Sequence, residues 1–274
     1  MNTESTRPGI SDFLELLEAL APTRFAEEWD NPGLQAGGYS GDITKVFVSL
    51  DPTLGALQRA RNAGAEVLFT HHPLIFKPVS RIDSAVYPGN VIHEAVKGGI
   101  HIVSAHTNLD VAGGGINDIL AELLRLEDIA VLDEIPGIEG VGLGRVGRLT
   151  RVFGLVEFIH EVRDLLGVEK LGIAGPEDAE FRTVAVVGGS GGSLVSSAHR
   201  KAADCLITGD VGHHHALTAE TMGVTLLDAG HYCLEKKAFS IFGNRLKKRM
   251  AERGWNVDVV LDEAERGPVR WAEG

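Results

Sequence analysis

The sequence predicts an α/β protein made of two related three-layer α/β lobes, an internal duplication. Three observations carry that prediction. Strand-like and helix-like segments alternate along the chain, the chain repeats itself, and polar, chemically capable residues follow the predicted strands in both copies. The repeat sets KVFVSLDPTLGALQRARNAGAEVLFTHH (45–72) against TVAVVGGSGGSLVSSAHRKAADCLITGD (183–210) without a gap, at an offset of 138. Val46 meets Val184, Ala60 meets Ala198 and Thr70 meets Thr208. A second match sets GGIHIVSAHT (98–107) against MGVTLLDAGH (222–231), at an offset of 124. The expected lobes are residues 1–128 and 129–231, with 232–274 returning to the first.

In chain order, residues 11–20 (SDFLELLEAL) read as an amphipathic helix capped by Ser11 or Asp12, with Phe13, Leu16, Leu17 and Leu20 on one face. EWDNPGLQAGG (28–38) reads as a loop, because Asp-Asn-Pro-Gly is turn chemistry. Strands at 45–50 and 66–70 flank a helix at 53–63 that stops at Gly64. A helix at 90–97 ends at Gly98–Gly99, and a strand at 100–105 runs into HTNLD (106–110) and a GGG turn at 113–115. A helix covers 116–126. The Gly-rich stretch 127–150 shows only short β-like pieces, such as GRVGRLT. Beyond it come a helix at 156–166, strand 183–187, helix 193–202, strand 204–208, helix 213–222, strand 224–228, helix 232–252 and strand 257–261.

Composition narrows the function classes. The formal net charge is −12, so a general phosphate-backbone binder is not expected. The one basic cluster, Arg245, Lys247, Lys248 and Arg249, sits near a helix C-terminus, where cations suit the helix dipole. No apolar run is long enough for a membrane span, and MNTESTRPGI lacks the basic-then-apolar order of a signal peptide. Two cysteines, Cys205 and Cys233, do not make a disulfide framework, and a cytoplasmic location is expected.

The chemistry-bearing residues gather after predicted strands: His71, His72, His106, Asp110, His213, His214, His215, Asp228, His231 and Glu235. In open α/β sheets ligands bind outside the carboxyl ends of strands. A site between the two sets of strand ends is therefore the natural expectation. His231 and Glu235 are four residues apart at a helix start, which puts both on one face; the same spacing also suits a surface pair. Imidazole with carboxylate suits zinc, manganese or iron better than magnesium or calcium. His71 and His72 would point to opposite faces of an extended strand, so only a bend before Pro73 lets both reach one cavity. Asp110 reads either as a ligand or as an N-cap or turn residue before the GGG segment, which is itself either a phosphate-binding loop or a flexible turn. The His213–His215 run is either a surface cluster or a functional one.

The ordered set EWDNPGLQAG, THHPLIF, HTNLDVAGGGIND, ITGDVGHH and LLDAGHYCLE resembles the family known as GTP cyclohydrolase I type 2, or Nif-three-like dinuclear-metal proteins, from about residue 11 to 264. The resemblance implies a two-lobed α/β fold with two divalent metal ions in the cleft, assembled as a toroidal homohexamer. It puts the ligands at His71, His72, Asp110, His231 and Glu235, each adjacent imidazole binding its own ion. It leaves His106 and His214 near the metals as candidates for proton transfer. Some members carry an inserted domain in mid-chain, for which residues 127–182 leave no room. The implied activity is hydrolysis of a small nucleotide-like substrate: water attacks C8 of the guanine ring of GTP, and formate is released. A metal-dependent phosphoesterase and a non-enzymatic, metal-binding regulatory ring are the competing expectations.

Overall fold

The computed structural model describes residues 7–269. The elements are α1 (Ile10–Leu20), β1 (Gly33–Ala36), β2 (Lys45–Ser49), α2 (Leu54–Asn62), β3 (Val67–Thr70), α3 (Gly89–Gly98), β4 (His101–Ser104), α4 (Thr107–Val111) and α5 (Ile116–Leu123). They continue with β5 (Glu127–Glu134), β6 (Gly142–Gly154), α6 (Leu155–Leu166), β7 (Gly172–Ala174), β8 (Glu180–Ser190), α7 (Val195–Arg200) and β9 (Cys205–Gly209). The last four are α8 (His213–Met222), β10 (Thr225–Asp228), α9 (His231–Glu252) and β11 (Asp258–Leu261). Two compact units result. One runs up to Leu109 and resumes at Phe239; the other is Asp110–Ala238.

The first unit holds a sheet of order β1-β4-β3-β2-β11. Neighbours among β4, β3, β2 and β11 are parallel, and β1 is an antiparallel edge on β4. Both faces are covered, which is why β2 and β3 read as nearly continuous apolar runs. Side chains alternate across the sheet. Phe47, Leu68 and Ile102 pack with Ala56, Leu57 and Ala60 of α2 and with Val91, Ile92 and Ala95 of α3. On the other face the Phe69 ring meets Phe13 of α1 edge-on, at 5.8 Å, and Phe239 of α9 at 5.1 Å.

The second unit holds a sheet of order β5-β6-β8-β9-β10-β7. Ala185, Val187, Leu206 and Leu226 pack with Val195 and Ala198 of α7 and Ala219 of α8. The opposite face receives α6, whose Phe158 ring lies 5.0 Å from Phe181 of β8. It also receives α5, which lies so close that a Cβ on Gly188 would come within 2.8 Å of Ile116.

Strand register reproduces the sequence repeat. Val46 lies opposite Val67 between β2 and β3, and Val184 opposite Cys205 between β8 and β9. Val67 then pairs with His101, and Cys205 with Thr225. Each trio of parallel strands carries a short antiparallel edge beside its third member, β1 in one unit and β7 in the other. The copies differ beyond the first strand. There β2 pairs with parallel β11, whereas β8 pairs with antiparallel β6, which β5 extends.

Several local expectations need correction. The 28–38 stretch is not all loop: Gly33–Ala36 forms β1, because pairing with β4 supplies the backbone partners that its turn-rich sequence does not advertise. The stretch 127–150 belongs to a long antiparallel pair that its glycines disguise. The HTNLD stretch, left without an assigned element between the strand and the GGG turn, holds one helical turn, Thr107–Val111. α1 begins at Ile10, with Gly9 as its cap, and the Asp12 carboxylate accepts the Gly9 N–H at 2.7 Å. α5 stops at Leu123, and Arg125 takes a left-handed φ of 54°.

Glu66 ties the starts of β2 and β3 together by accepting the backbone N–H groups of Thr44 and Lys45 at 3.1 and 2.8 Å and the Thr44 hydroxyl at 2.9 Å. Burial pushes its pKa up, but these bonds outweigh burial and hold it below 4.5. A depressed folded pKa stabilises above the unfolded value, and that contribution is lost as pH falls through the folded value. The thermal midpoint gap between wild type and Glu66→Gln is therefore expected to be widest near pH 7 and to close as the pH is lowered below about 4. A gap that does not change between pH 7 and pH 3 contradicts this assignment.

Candidate metal centre

β3 ends at Thr70, whose hydroxyl donates to the His72 carbonyl at 2.8 Å. That bond folds the chain back immediately after the strand. Instead of opposing each other, the His71 and His72 rings lie 5.3 Å apart, centroid to centroid. His106, just past β4, joins them at 5.3 Å from His71 and 5.5 Å from His72. The three offer ligand nitrogens that all lie within 4.8 Å of one another. His71 is fully buried, with Phe239 packed 5.5 Å from its ring.

Each of these imidazoles is held by Nδ1. His71 Nδ1 faces the Ala105 carbonyl at 2.8 Å, His72 Nδ1 the Asp51 carboxylate at 2.7 Å, and His106 Nδ1 the Asp30 carboxylate at 2.8 Å. A carbonyl or carboxylate only accepts, so Nδ1 carries the proton in each of these rings. Asp30 is further bound by the Thr107 backbone N–H at 3.1 Å and the Thr107 hydroxyl at 2.5 Å. Burial would raise the Asp30 pKa, but the bonds from His106 and Thr107 hold it at about 2. It is ionised at neutral pH.

In the second unit, His231 opens α9 and Glu235 follows one turn later, with His231 Nε2 and Glu235 Oε2 2.8 Å apart. The same anchoring recurs, since His231 Nδ1 donates to Asp210 at 2.7 Å. Two glycines make room. Gly189, with φ of +65°, lies under the Glu235 carboxylate, where a Cβ would strike Oε1. Gly209, at the end of β9, abuts the His231 backbone, and a Cβ there would lie 2.6 Å from the His231 Cα. Asp110, on α4, is buried. Its carbonyl accepts from Asn117 at 2.9 Å, and Asn117 in turn accepts the Gly188 N–H at 2.8 Å.

The remaining predicted positions fall elsewhere. His213 and His214 are exposed on the first turn of α8, their rings 5.5 Å apart, and His214 joins neither donor group. His215 turns inward instead, against Gly192. Asp228 is a loop clip: its carboxylate accepts the Val211 and Gly230 N–H groups, both at 2.9 Å. The GGG segment is a pinned turn. Gly114 N–H donates to Asp118 at 2.5 Å, and Asp118 pairs with buried Arg145.

Sequence reasoning missed the anchors Asp30, Asp51 and Asp210, and the bridge Asn117. A signal existed for three of them. Asp30 lies in EWDNPG, Asp51 follows the first strand, and Asp210 aligns with His72 in the repeat. Nothing in the sequence separates them from ordinary turn aspartates.

The profile of the family Duf34/NIF3 (NGG1p interacting factor 3) matches residues 8–268. This chain belongs to that family. It is 33% identical to a Clostridium perfringens protein named GTP cyclohydrolase 1 type 2 homolog, over 96% of this chain and 99% of that one. It is also 33% identical to a Helicobacter pylori protein named GTP cyclohydrolase 1 type 2, over 83% of this chain and 87% of that one. A Bacillus cereus crystal structure described as a protein related to NIF3 superposes with a TM-score of 0.92 at 25% identity, covering 98% of this Duf34/NIF3 chain and all of that one. Among the described residues no helix is long and apolar enough to cross a membrane.

The Gly209 packing yields a prediction. Gly209→Ala must move the start of α9, and overpacking of this kind costs about 1–3 kcal/mol. Gly38→Ala, where a Cβ meets nothing within 4 Å, is the control and is expected to be nearly neutral. Urea melts of the two variants test this; equal midpoints remove the steric argument.

Proposed function

We propose that the chain is a metal-dependent hydrolase that opens the guanine ring of GTP and releases formate. The observation that carries the metal reading is the anchoring of His71, His72, His106 and His231, each by Nδ1 on a carbonyl or carboxylate oxygen. Metal-binding histidines have this outer partner almost without exception. In this reading His71, His72, Asp110, His231 and Glu235 hold two divalent ions, of zinc, manganese or iron. Three neutral imidazoles and two carboxylates fit these borderline cations. The ions, when bound, supply Lewis acidity: they lower the pKa of water and offset charge that develops on oxygen. The substrate class comes from the name of the Helicobacter pylori relative.

The chain's own residues supply orientation and proton movement. Ionised Asp30 fixes the His106 ring through Nδ1, which directs Nε2 to take a proton from the attacking water. Water adds at C8, and the same proton passes to the ring nitrogen that leaves C8, giving a formamide; a second water then adds at that carbon, the remaining C8–N bond breaks, and formate leaves as the nitrogen takes a proton. His214 is the second candidate for this transfer. Its exposed place on α8 makes it the weaker one.

The test is turnover by protein reconstituted separately with zinc, manganese and iron. Formate is measured with GTP, and other nucleotides, cyclic nucleotides and small amides are screened alongside. Two ions per chain and formate release from GTP are the expected result. Ester cleavage of a cyclic nucleotide without formate would make it a phosphoesterase. Two bound ions with no turnover would favour a regulatory protein, and one ion or none by elemental analysis overturns the metal reading. His106→Gln is expected to lower turnover about 100-fold or more while both ions stay bound. Loss of a metal in that variant makes His106 a ligand instead.

A further inference from the structure

We propose that Glu265, from the chain's C-terminal segment, is a positioning residue for the His72 imidazole and acts through Asp51. The proposal rests on the reading of His72 as a metal ligand. His72 is held twice by the short segment that follows β2. Its backbone N–H donates to the Leu50 carbonyl at 3.1 Å, and its Nδ1 donates to the Asp51 carboxylate at 2.7 Å. The Asp51 side chain is 30% exposed, so packing alone does not aim it. What fixes it is its backbone. The Asp51 carbonyl accepts the Thr53 N–H at 2.9 Å, and its own N–H donates to Glu265 at 2.8 Å.

Glu265 does more than make one bond. Its carboxylate also accepts the Leu50 N–H at 2.9 Å and lies 2.9 Å from the Ser49 hydroxyl. One buried carboxylate thus gathers three successive residues, and the last two of them, Leu50 and Asp51, deliver both holds on His72. Hydrogen bonds from N–H groups to a carboxylate are charge-assisted and about twice as strong as neutral ones. The segment carrying Glu265 is itself fixed. Asp262 N–H donates to the Val48 carbonyl at 2.8 Å, and the Asp262 carboxylate takes a two-point bond from Arg59 at 2.8 and 2.6 Å. Glutamine at 265 would turn an amide N–H₂ toward one of two backbone donors, and the Leu50–Asp51 segment would have to shift.

The experiment compares full-length wild type, Asp51→Asn, Glu265→Gln and the double variant. Zinc affinity is read by calorimetric titration. The His72 Nδ1–H resonance is read by NMR in metal-free protein, assigned by its disappearance in His72→Gln. Removing a partner of a metal-bound histidine typically weakens metal binding 10–100-fold. Asp51→Asn is expected in that range, and Glu265→Gln at about 10-fold. Because both act on one contact, the double variant is expected to be no weaker than Asp51→Asn alone, and Glu265→Gln is expected to broaden or shift the His72 resonance. Losses that multiply in the double variant, or an unchanged resonance, overturn the proposal and leave Glu265 a structural residue. Should Glu265→Gln fail to fold, Glu265→Asp keeps the charge but withdraws it by one methylene, and the same two outcomes decide. Wild type that binds no zinc refutes the metal reading, while the resonance still decides whether Glu265 aims the ring.

Discussion

An imidazole has two nitrogens, and a ring that must present one of them needs something to hold the other. Four rings in this protein meet that requirement, through the Ala105 carbonyl and the carboxylates of Asp51, Asp30 and Asp210. All four acceptors stand within a few residues of a strand end or in the loop before β1. Their positions are therefore set by strand register. The parallel ladder β2-β3-β4 brings Asp51, His71, His72 and His106 to the same edge of one sheet. The ladder β8-β9-β10 does the same for Asp210 and His231. The apolar packing of both units exists, in functional terms, to keep those registers.

The duplication has been used unequally. At the end of β3 the chain carries His71 and His72; the aligned positions after β9 are Gly209 and Asp210. Glycine leaves room for the backbone of α9, and the aspartate becomes an anchor in place of a ring. The imidazole of the second copy comes instead from His231, which aligns with Thr107. In the first copy Thr107 binds the anchor Asp30. An anchor thus stands where the first copy has a ring, and a ring stands where the first copy has the threonine that holds an anchor. One ancestral arrangement of strand ends serves both, because either residue type can occupy a position whose backbone direction is fixed.

Much of this was legible in the residues. Alternating strand and helix patterns, the gapless repeat and the crowding of histidines after strands come from local composition, which a linear sequence displays directly. β1 was not legible, because an edge strand of turn-forming residues owes its shape to its partner. The pair β5 and β6 was hidden by glycines that fit close approaches, such as that of Gly147 to the Glu127 carbonyl, seen only once the strands are side by side. Of the three adjacent histidines at 213–215, the inward member proved to be His215, a choice made by the helix phase of α8 against Gly192.

By itself the sequence determined the fold class, the internal repeat and which side chains could bind a divalent cation, since these follow from periodicity and from the chemistry of each residue. Tertiary structure decided how those side chains are aimed. Asp30 reaches His106 across 76 positions of sequence, and Glu265 reaches Asp51 across 214. Hydrogen bonds of that span leave no periodic trace, because the partners meet only after the strands between them have paired.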